Sequence, residues 1–558
     1  MISQQALCLQ SGLFVAVSYA IYHYLKPKPI GNIPHNPLVW SVGDFPAILK
    51  NVKNGLGIAE WLSQQALIHG PIMSIHMGPA FPKVVVSDPA TVQEILNKRG
   101  EDFGFSDTQK TVFGGTMPYG MLSLPGNEMW HSHRRALNPW YAMFQHGPQT
   151  LLTQDSVNTQ YLKTCSPRIN DVCRQLVELW EAKERVLPPG FCFEFSEDLQ
   201  LFTMDNIASF CFGEAFGGVS KAREALSTIP TLGSYDTVTR VYKFTQPDVP
   251  LHDAVRVLFD VMGEAALSPL PKLTYWIRKR QQDWKRAHKL FFDYLEPKIN
   301  QARSDYVIHG ESDQSTVLDV VLSREGHLGT FPDEELKDEM LNFMLYLSSY
   351  RAGQDTTSTA LQWGLKLLSH HPEIQRKLRS HILERGIPDV DDIAFEDVRA
   401  ENAPYLEAVV WEILRIGQVG LFISRMATRD TQILGYHIPK GTEVILHTGH
   451  VGIHDTAARF YATEHPSSPM VQSPSSPRKL WQDDGRAFDP DRWLDRHGRF
   501  EPSSSVLPFG GGNRMCFGYR FALLQMKLVL VALQRRFYFE PPTCQDLDSW
   551  KVKETVNR

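Results

Sequence analysis

The sequence predicts a mainly α fold with a small β part. Long stretches carry apolar residues at helical spacing, only a few short stretches have strand character, and no repeat of fixed period is present. With 558 residues, 42% hydrophobic and 21% charged, the chain can bury a large core. A formal net charge of −5 shows no basic excess, so nucleic acid is excluded as an expected partner.

At the amino terminus, Ala6 to Leu25 contains no Asp, Glu, Lys or Arg. As a helix rising about 1.5 Å per residue it would span roughly 30 Å of hydrocarbon, so residues 1–25 are expected to form one transmembrane anchor. Lys26 and Lys28 follow it directly, which assigns the larger part to the cytosolic side. A cleaved signal peptide fits less well, because the basic leading region is missing. Residues 26–39 are read as a linker, since Pro27, Pro29, Pro34 and Pro37 block a helix and favour a stiff spacer. Residues 40–558 are then one domain.

Strands are expected at Pro71 to Met77, Lys83 to Val86, Gln432 to Leu434 and Glu443 to Leu446, each next to a turn signal. Helices are expected over Asp171 to Glu184, Leu273 to Ser304, Asp333 to His370, Pro372 to Glu384, Ala403 to Ile416 and Tyr519 to Arg536. Residues 466–479 (PSSPMVQSPSSPRK) lack apolar periodicity and are read as a surface insertion. Cys8, Cys165, Cys173, Cys192, Cys211, Cys516 and Cys544 are dispersed and odd in number. That suits a reducing compartment and excludes zinc spacing.

The most informative stretch is Phe509-Gly510-Gly511-Gly512-Asn513-Arg514-Met515-Cys516-Phe517-Gly518, set before an apolar helical run. It resembles the cytochrome P-450 signature F-x-x-G-x-R-x-C-x-G at Phe509, Gly512, Arg514, Cys516 and Gly518. The resemblance implies that Cys516 is the axial thiolate ligand, hence the metal ligand, of a haem b iron; such a sulfur donates electrons that favour O–O cleavage. Backbone N–H groups of a glycine-rich turn can stabilise the anion. Arg514 would neutralise a haem propionate, and Phe509 would shield the sulfur from water.

Further segments resemble the same family in the same order. Trp130-His131-Ser132-His133-Arg134 is similar to W-x-x-x-R, and its four-residue step puts Trp130 and Arg134 on one helix face for a propionate. Ala352-Gly353-Gln354-Asp355-Thr356-Thr357 resembles A-G-x-[DE]-T-T. The resemblance implies that Ala352 and Gly353 let the backbone approach the cofactor and that Thr356 and Asp355 supply the protons of oxygen activation. Arg351 stands where the family is usually apolar, and is read as pointing to a surface partner. Glu412 and Arg415 match E-x-x-R, Pro490-Asp491-Arg492-Trp493 resembles P-x-R-[FW], and Glu412, Arg415 and Arg492 are expected to form a structural charge cluster. Arg425 resembles a further propionate ligand. Gln525 stands where many family members carry Glu.

What this resemblance implies is the cytochrome P-450 fold preceded by one amino-terminal transmembrane helix, similar to membrane-bound filamentous-fungal members of the endoplasmic reticulum. Electrons would come from a separate NADPH-dependent reductase, and one oxygen atom would enter a hydrophobic small molecule such as a terpenoid, polyketide or alkaloid intermediate. Residues 103–124, 190–265 and 417–422 are expected to line the substrate cavity. Two alternatives stay open: a haem-thiolate isomerase or dehydratase working without reductase, and a non-catalytic haem-binding sensor.

Overall fold

The computed structural model describes residues 17–19, 28–38, 42–54, 58–77, 82–136, 156–188, 190–228, 233–236, 241–268, 270–309, 316–323, 325, 331–345, 356–417, 419–420, 422–448, 487–502 and 506–541. In chain order the helices are α1 (Phe45–Lys53), α2 (Ile58–His69), α3 (Pro89–Lys98), α4 (Asp107–Gly114), α5 (Glu128–Ala136), α6 (Ser156–Val186), α7 (Ser196–Phe212), α8 (Gly218–Thr228), α9 (Pro250–Leu267), α10 (Pro271–Arg278), α11 (Gln282–His309), α12 (Val317–Leu322), α13 (Asp333–Leu345), α14 (Thr356–His370), α15 (Pro372–Glu384), α16 (Pro404–Gly417) and α17 (Tyr519–Arg536). The strands are β1 (Ile72–Ile75), β2 (Lys83–Val86), β3 (Phe103–Gly104), β4 (Cys192–Phe193), β5 (Ser234–Asp236), β6 (Val241–Lys243), β7 (Ile423–Ala427), β8 (Thr431–Ile433), β9 (Tyr436–Ile438) and β10 (Glu443–Leu446). The expected mainly helical fold with small sheets is what is found.

The chain divides into two compact units, Met1–Ser106 with Leu421–Gly485, and Asp107–Gly420 with Arg486–Arg558. The first holds a five-stranded sheet in the order β1-β2-β10-β7-β3. Strand β10 lies parallel to β2 and antiparallel to β7. Val84, Val85 and Val86 are all buried, because Ile48, Trp61 and Leu62 cover one face with Val85 while Val84 and Val86 point to the other. Asp88 caps α3 by accepting the Thr91 N–H at 2.9 Å, and Pro89 takes the first turn, where no N–H is needed.

One expectation changes in this unit. The strand expected through Leu434 stops at Ile433, because Leu434 and Gly435 adopt positive φ and turn β8 into β9. Of the stretch 26–39, read as a stiff linker, residues 28–38 are described and make contacts of their own. Ile33 is buried, the Pro34 carbonyl accepts the Ser74 N–H at 2.8 Å, and Asn36 Nδ2 donates to Asp44 and Gln65. A proline suits such a sheet edge because only its carbonyl is asked to pair.

The second unit is helical around one apolar core, with α6 against α7, α8 and α17, and α14 against α16. A buried ion pair, Lys183 Nζ to Asp198 Oδ1 at 2.6 Å, joins α6 to α7, and Trp180 Nε1 donates to the same carboxylate. The single helix expected from Leu273 to Ser304 is two, α10 and α11. Tyr275 and Trp284 are both buried, yet nine residues of straight helix would set them on opposite faces. A turn over Lys279–Gln281 lets both face the core. The expected Asp333–His370 helix is seen as α13 and α14, with 346–355 outside the described residues.

Among the described residues no helix is long and apolar enough to cross a membrane. The expected anchor lies outside them except for Val17 to Tyr19, which are helical and exposed. The insertion at 466–479 also lies outside.

Candidate active site

The cysteine loop is built by backbone geometry. Gly510 and Gly512 sit at φ +72° and +65°, a region costly for any side chain bearing a Cβ. They allow a tight turn through the short 3-10 helix Gly512–Arg514, and the Cys516 N–H closes the loop onto the Phe509 carbonyl at 2.8 Å. The Phe509 ring packs 6.3 Å from Trp411 and 5.8 Å from Tyr519. Gly518 opens α17, and its N–H bonds the Cys516 sulfur.

Burial pushes the Cys516 thiol up to about 11, and the Gly518 N–H offsets only part of that. Left to itself the sulfur is therefore a neutral thiol near pH 7. A bound metal cation would draw it to the thiolate.

Positive charge is gathered beside this loop. The Arg134 guanidinium lies 4.7 Å from the Trp130 ring centroid, and that of Arg514 lies 4.5 Å from the same ring. Arg514 is held by the Leu124 carbonyl at 2.9 Å, and Trp130 is set at the start of α5 by its N–H donating to Asn127 Oδ1 at 3.0 Å. Two guanidiniums on one indole favour an anionic guest.

In the sheet unit, Arg425 is buried on β7. Among the described residues its only hydrogen bond goes to the neighbouring Ser424 carbonyl, and no carboxylate pairs with it. Burial brings its pKa down to about 10. A buried guanidinium without a counter-charge is costly, so this residue too asks for an anion. A half-buried thiol in a glycine turn, with arginines suited to carboxylates, fits a haem.

Of the segment 352–357, Thr356 is described as the half-buried first residue of α14. The next hydroxyl, Thr357 Oγ1, is buried without a partner among the described residues. Ala352, Gly353 and Asp355, together with Arg351, lie outside them.

The structural cluster comes together as its spacing implied. Glu412 accepts from Arg415, Arg492 and Trp493 at 2.7 to 3.0 Å, and from the Asp489 N–H at 2.9 Å. Gln525 is fully buried, and neither atom of its amide has a partner among the described residues. Within 190–265, residues of α7, the β6 flank and α9 line a cavity of 590 Å³ that includes none of the motif residues.

One grouping escaped the sequence reading. His133, adjacent to Arg134, is buried between Glu335 and Glu339 of α13. The only signal for it was a histidine inside W-x-x-x-R and an acidic run at 333–339, neither of which names the other.

The family model described as Cytochrome P450 matches residues 34–457 and 471–554. The chain is 28% identical to cytochrome P450 monooxygenase TRI13 of Fusarium sporotrichioides, over 97% of this chain and 95% of that protein. It is 29% identical to cytochrome P450 monooxygenase xilC of Penicillium rubens, over 93% and 89%. A vertebrate relative, cytochrome P450 2K1 of Oncorhynchus mykiss, is 24% identical over 86% and 81%. With the glycine-built cysteine loop and a family match over most of its length, the chain belongs to the cytochrome P450 family.

Proposed function

We propose that this protein inserts one oxygen atom from O2 into a hydrophobic small molecule of secondary metabolism, using haem b ligated by Cys516 and electrons from a separate NADPH-dependent reductase. The observation that supports the reading is the cysteine loop, in which Gly510 and Gly512 bend the backbone at positive φ and the Gly518 N–H bonds the half-buried Cys516 sulfur. When bound, a haem with a thiolate ligand supplies the oxidising chemistry.

The chain's own residues do the rest. Arg134, Arg514 and Arg425 hold the propionates as charge-assisted donors, and Trp130 orients the first two through its ring faces. Phe509 keeps water from the sulfur. Thr356 holds a proton donor at the start of α14, Asp355 passes protons inward, and Ala352 with Gly353 gives the cofactor room. Residues 1–25 anchor the protein in the endoplasmic reticulum membrane, 26–39 lead from the anchor, and 40–558 form the catalytic part.

The reduced carbon monoxide complex tests this reading: a thiolate-type Soret band is expected in the wild type and its loss in Cys516→Ser. A mutant that keeps the band overturns the ligand assignment. Turnover of a substrate without NADPH would favour an isomerase, and haem binding without any turnover a sensor.

A further inference from the structure

Helix α5 carries Trp130 and Arg134 on one side and His133 beside them. The His133 ring is 1% exposed, with Nδ1 2.6 Å from Glu339 Oε1 and Nε2 2.9 Å from Glu335 Oε2. The two glutamates are four residues apart on α13 and so share a face. A ring with a carboxylate on each nitrogen must donate from both, which only the protonated form can do. The second Glu339 oxygen accepts from Asn342 Nδ2 at 3.1 Å, and Phe331 meets the ring edge-on at 5.5 Å. The remaining nearby charges meet at Asp338 on α13, which interacts with Glu334 and Glu339 of the same helix and with Lys279.

We propose that His133 is a positioning residue: its protonated ring, clamped between Glu335 and Glu339, fixes α5 against α13 and thereby sets Trp130 and Arg134 for the haem propionate. The inference rests on the haem reading above and adds a proton dependence to it. Burial works against the charged ring, but the bonds and charges of Glu339 and Glu335 outweigh it and hold its pKa above the ordinary 6.5. A pKa raised in the fold gives stability that is complete below 6.5 and is lost as pH rises through the folded value. Once the proton leaves, the neutral ring can donate to one carboxylate only; Glu339 keeps its bond from Asn342, and the part-exposed Glu335 is left facing a nitrogen lone pair. Trp130 and Arg134 sit three residues before and one residue after His133 on the same helix, so they move with it.

The test follows haem transfer from the full-length holoprotein to excess apomyoglobin, from neutral to alkaline pH. Wild type is expected to release haem slowly at neutral pH and about tenfold faster once the ring deprotonates, as befits loss of one bond to a charged group. Glu335→Gln keeps a hydrogen-bond acceptor but removes a charge, so its transition should move to lower pH. His133→Gln should release haem fast at every pH without a transition. A Glu335→Gln transition at the wild-type pH, or a His133→Gln profile like that of wild type, overturns the clamp. Should His133→Gln fail to fold, Glu335→Gln still decides. Wild type carrying no haem at all would overturn the cofactor reading, and the clamp with it.

Discussion

Arg415 and Glu412, neither with any exposed side-chain surface, face each other through two hydrogen bonds of 2.7 Å. Each glutamate oxygen is shared further, Oε1 accepting from Arg492 Nε at 3.0 Å and Oε2 from Trp493 Nε1 at 2.8 Å. One carboxylate thus ties α16 to the Pro490–Trp493 turn, upstream of the cysteine loop. Glu412→Gln strips the counter-charge from two arginines, and breaking a buried pair from one side costs about 3–5 kcal/mol. Little folded, haem-loaded protein is expected; wild-type yield and denaturant midpoint in the mutant would contradict this.

Thr356→Ala is expected to fold, bind haem and accept electrons, yet to divert them to hydrogen peroxide. General acid contributions of this kind are worth roughly a hundredfold to ten-thousandfold, so product formation should fall steeply while oxygen uptake persists. The measurement is NADPH consumed, peroxide formed and product formed in one reaction. Unchanged coupling would remove the proton-delivery role from Thr356 and leave the cofactor assignment intact.

Asp338 on α13 is buried, and burial raises its carboxyl to about 7 from an ordinary 3.8, although it accepts the Tyr119 N–H at 2.8 Å. In that window the folded state binds a proton that the unfolded state has lost, so its contribution to stability falls as pH rises from 3.8 to about 7. Asp338→Asn keeps an acceptor for Tyr119 and has no charge to bury. It should melt higher than wild type above neutral pH, by on the order of a few kcal/mol in stability, and like wild type in acid. Equal melting of the two proteins at all pH values would count against it.

Removing residues 1–25 should shift the protein to the soluble fraction with its haem spectrum unchanged. The apolar run from Ala6 to Leu25 is followed by a basic flank, and the chain is packed by Ile33, well past the cut. Truncated protein that still sediments with membranes after an alkaline wash would rule out a single anchor.

The sequence by itself determined what is local. Helices α15 and α17 run Pro372–Glu384 and Tyr519–Arg536 as read, because a proline start and an unbroken 3.6-residue period need no distant partner. The cysteine loop was legible for the same reason: glycine at positive φ and a cysteine at fixed offset are properties of ten consecutive residues. Only the tertiary structure decided what joins segments far apart in the chain. It broke the expected 273–304 helix so that Tyr275 and Trp284 could both be buried, and turned Leu434 out of its strand. It stacked Arg514 on Trp130 and closed His133 onto Glu339 across 206 residues. A local pattern states which face of an element is apolar or charged. Which other element meets that face is settled by packing alone, since many pairings satisfy the same pattern and only one fills the core.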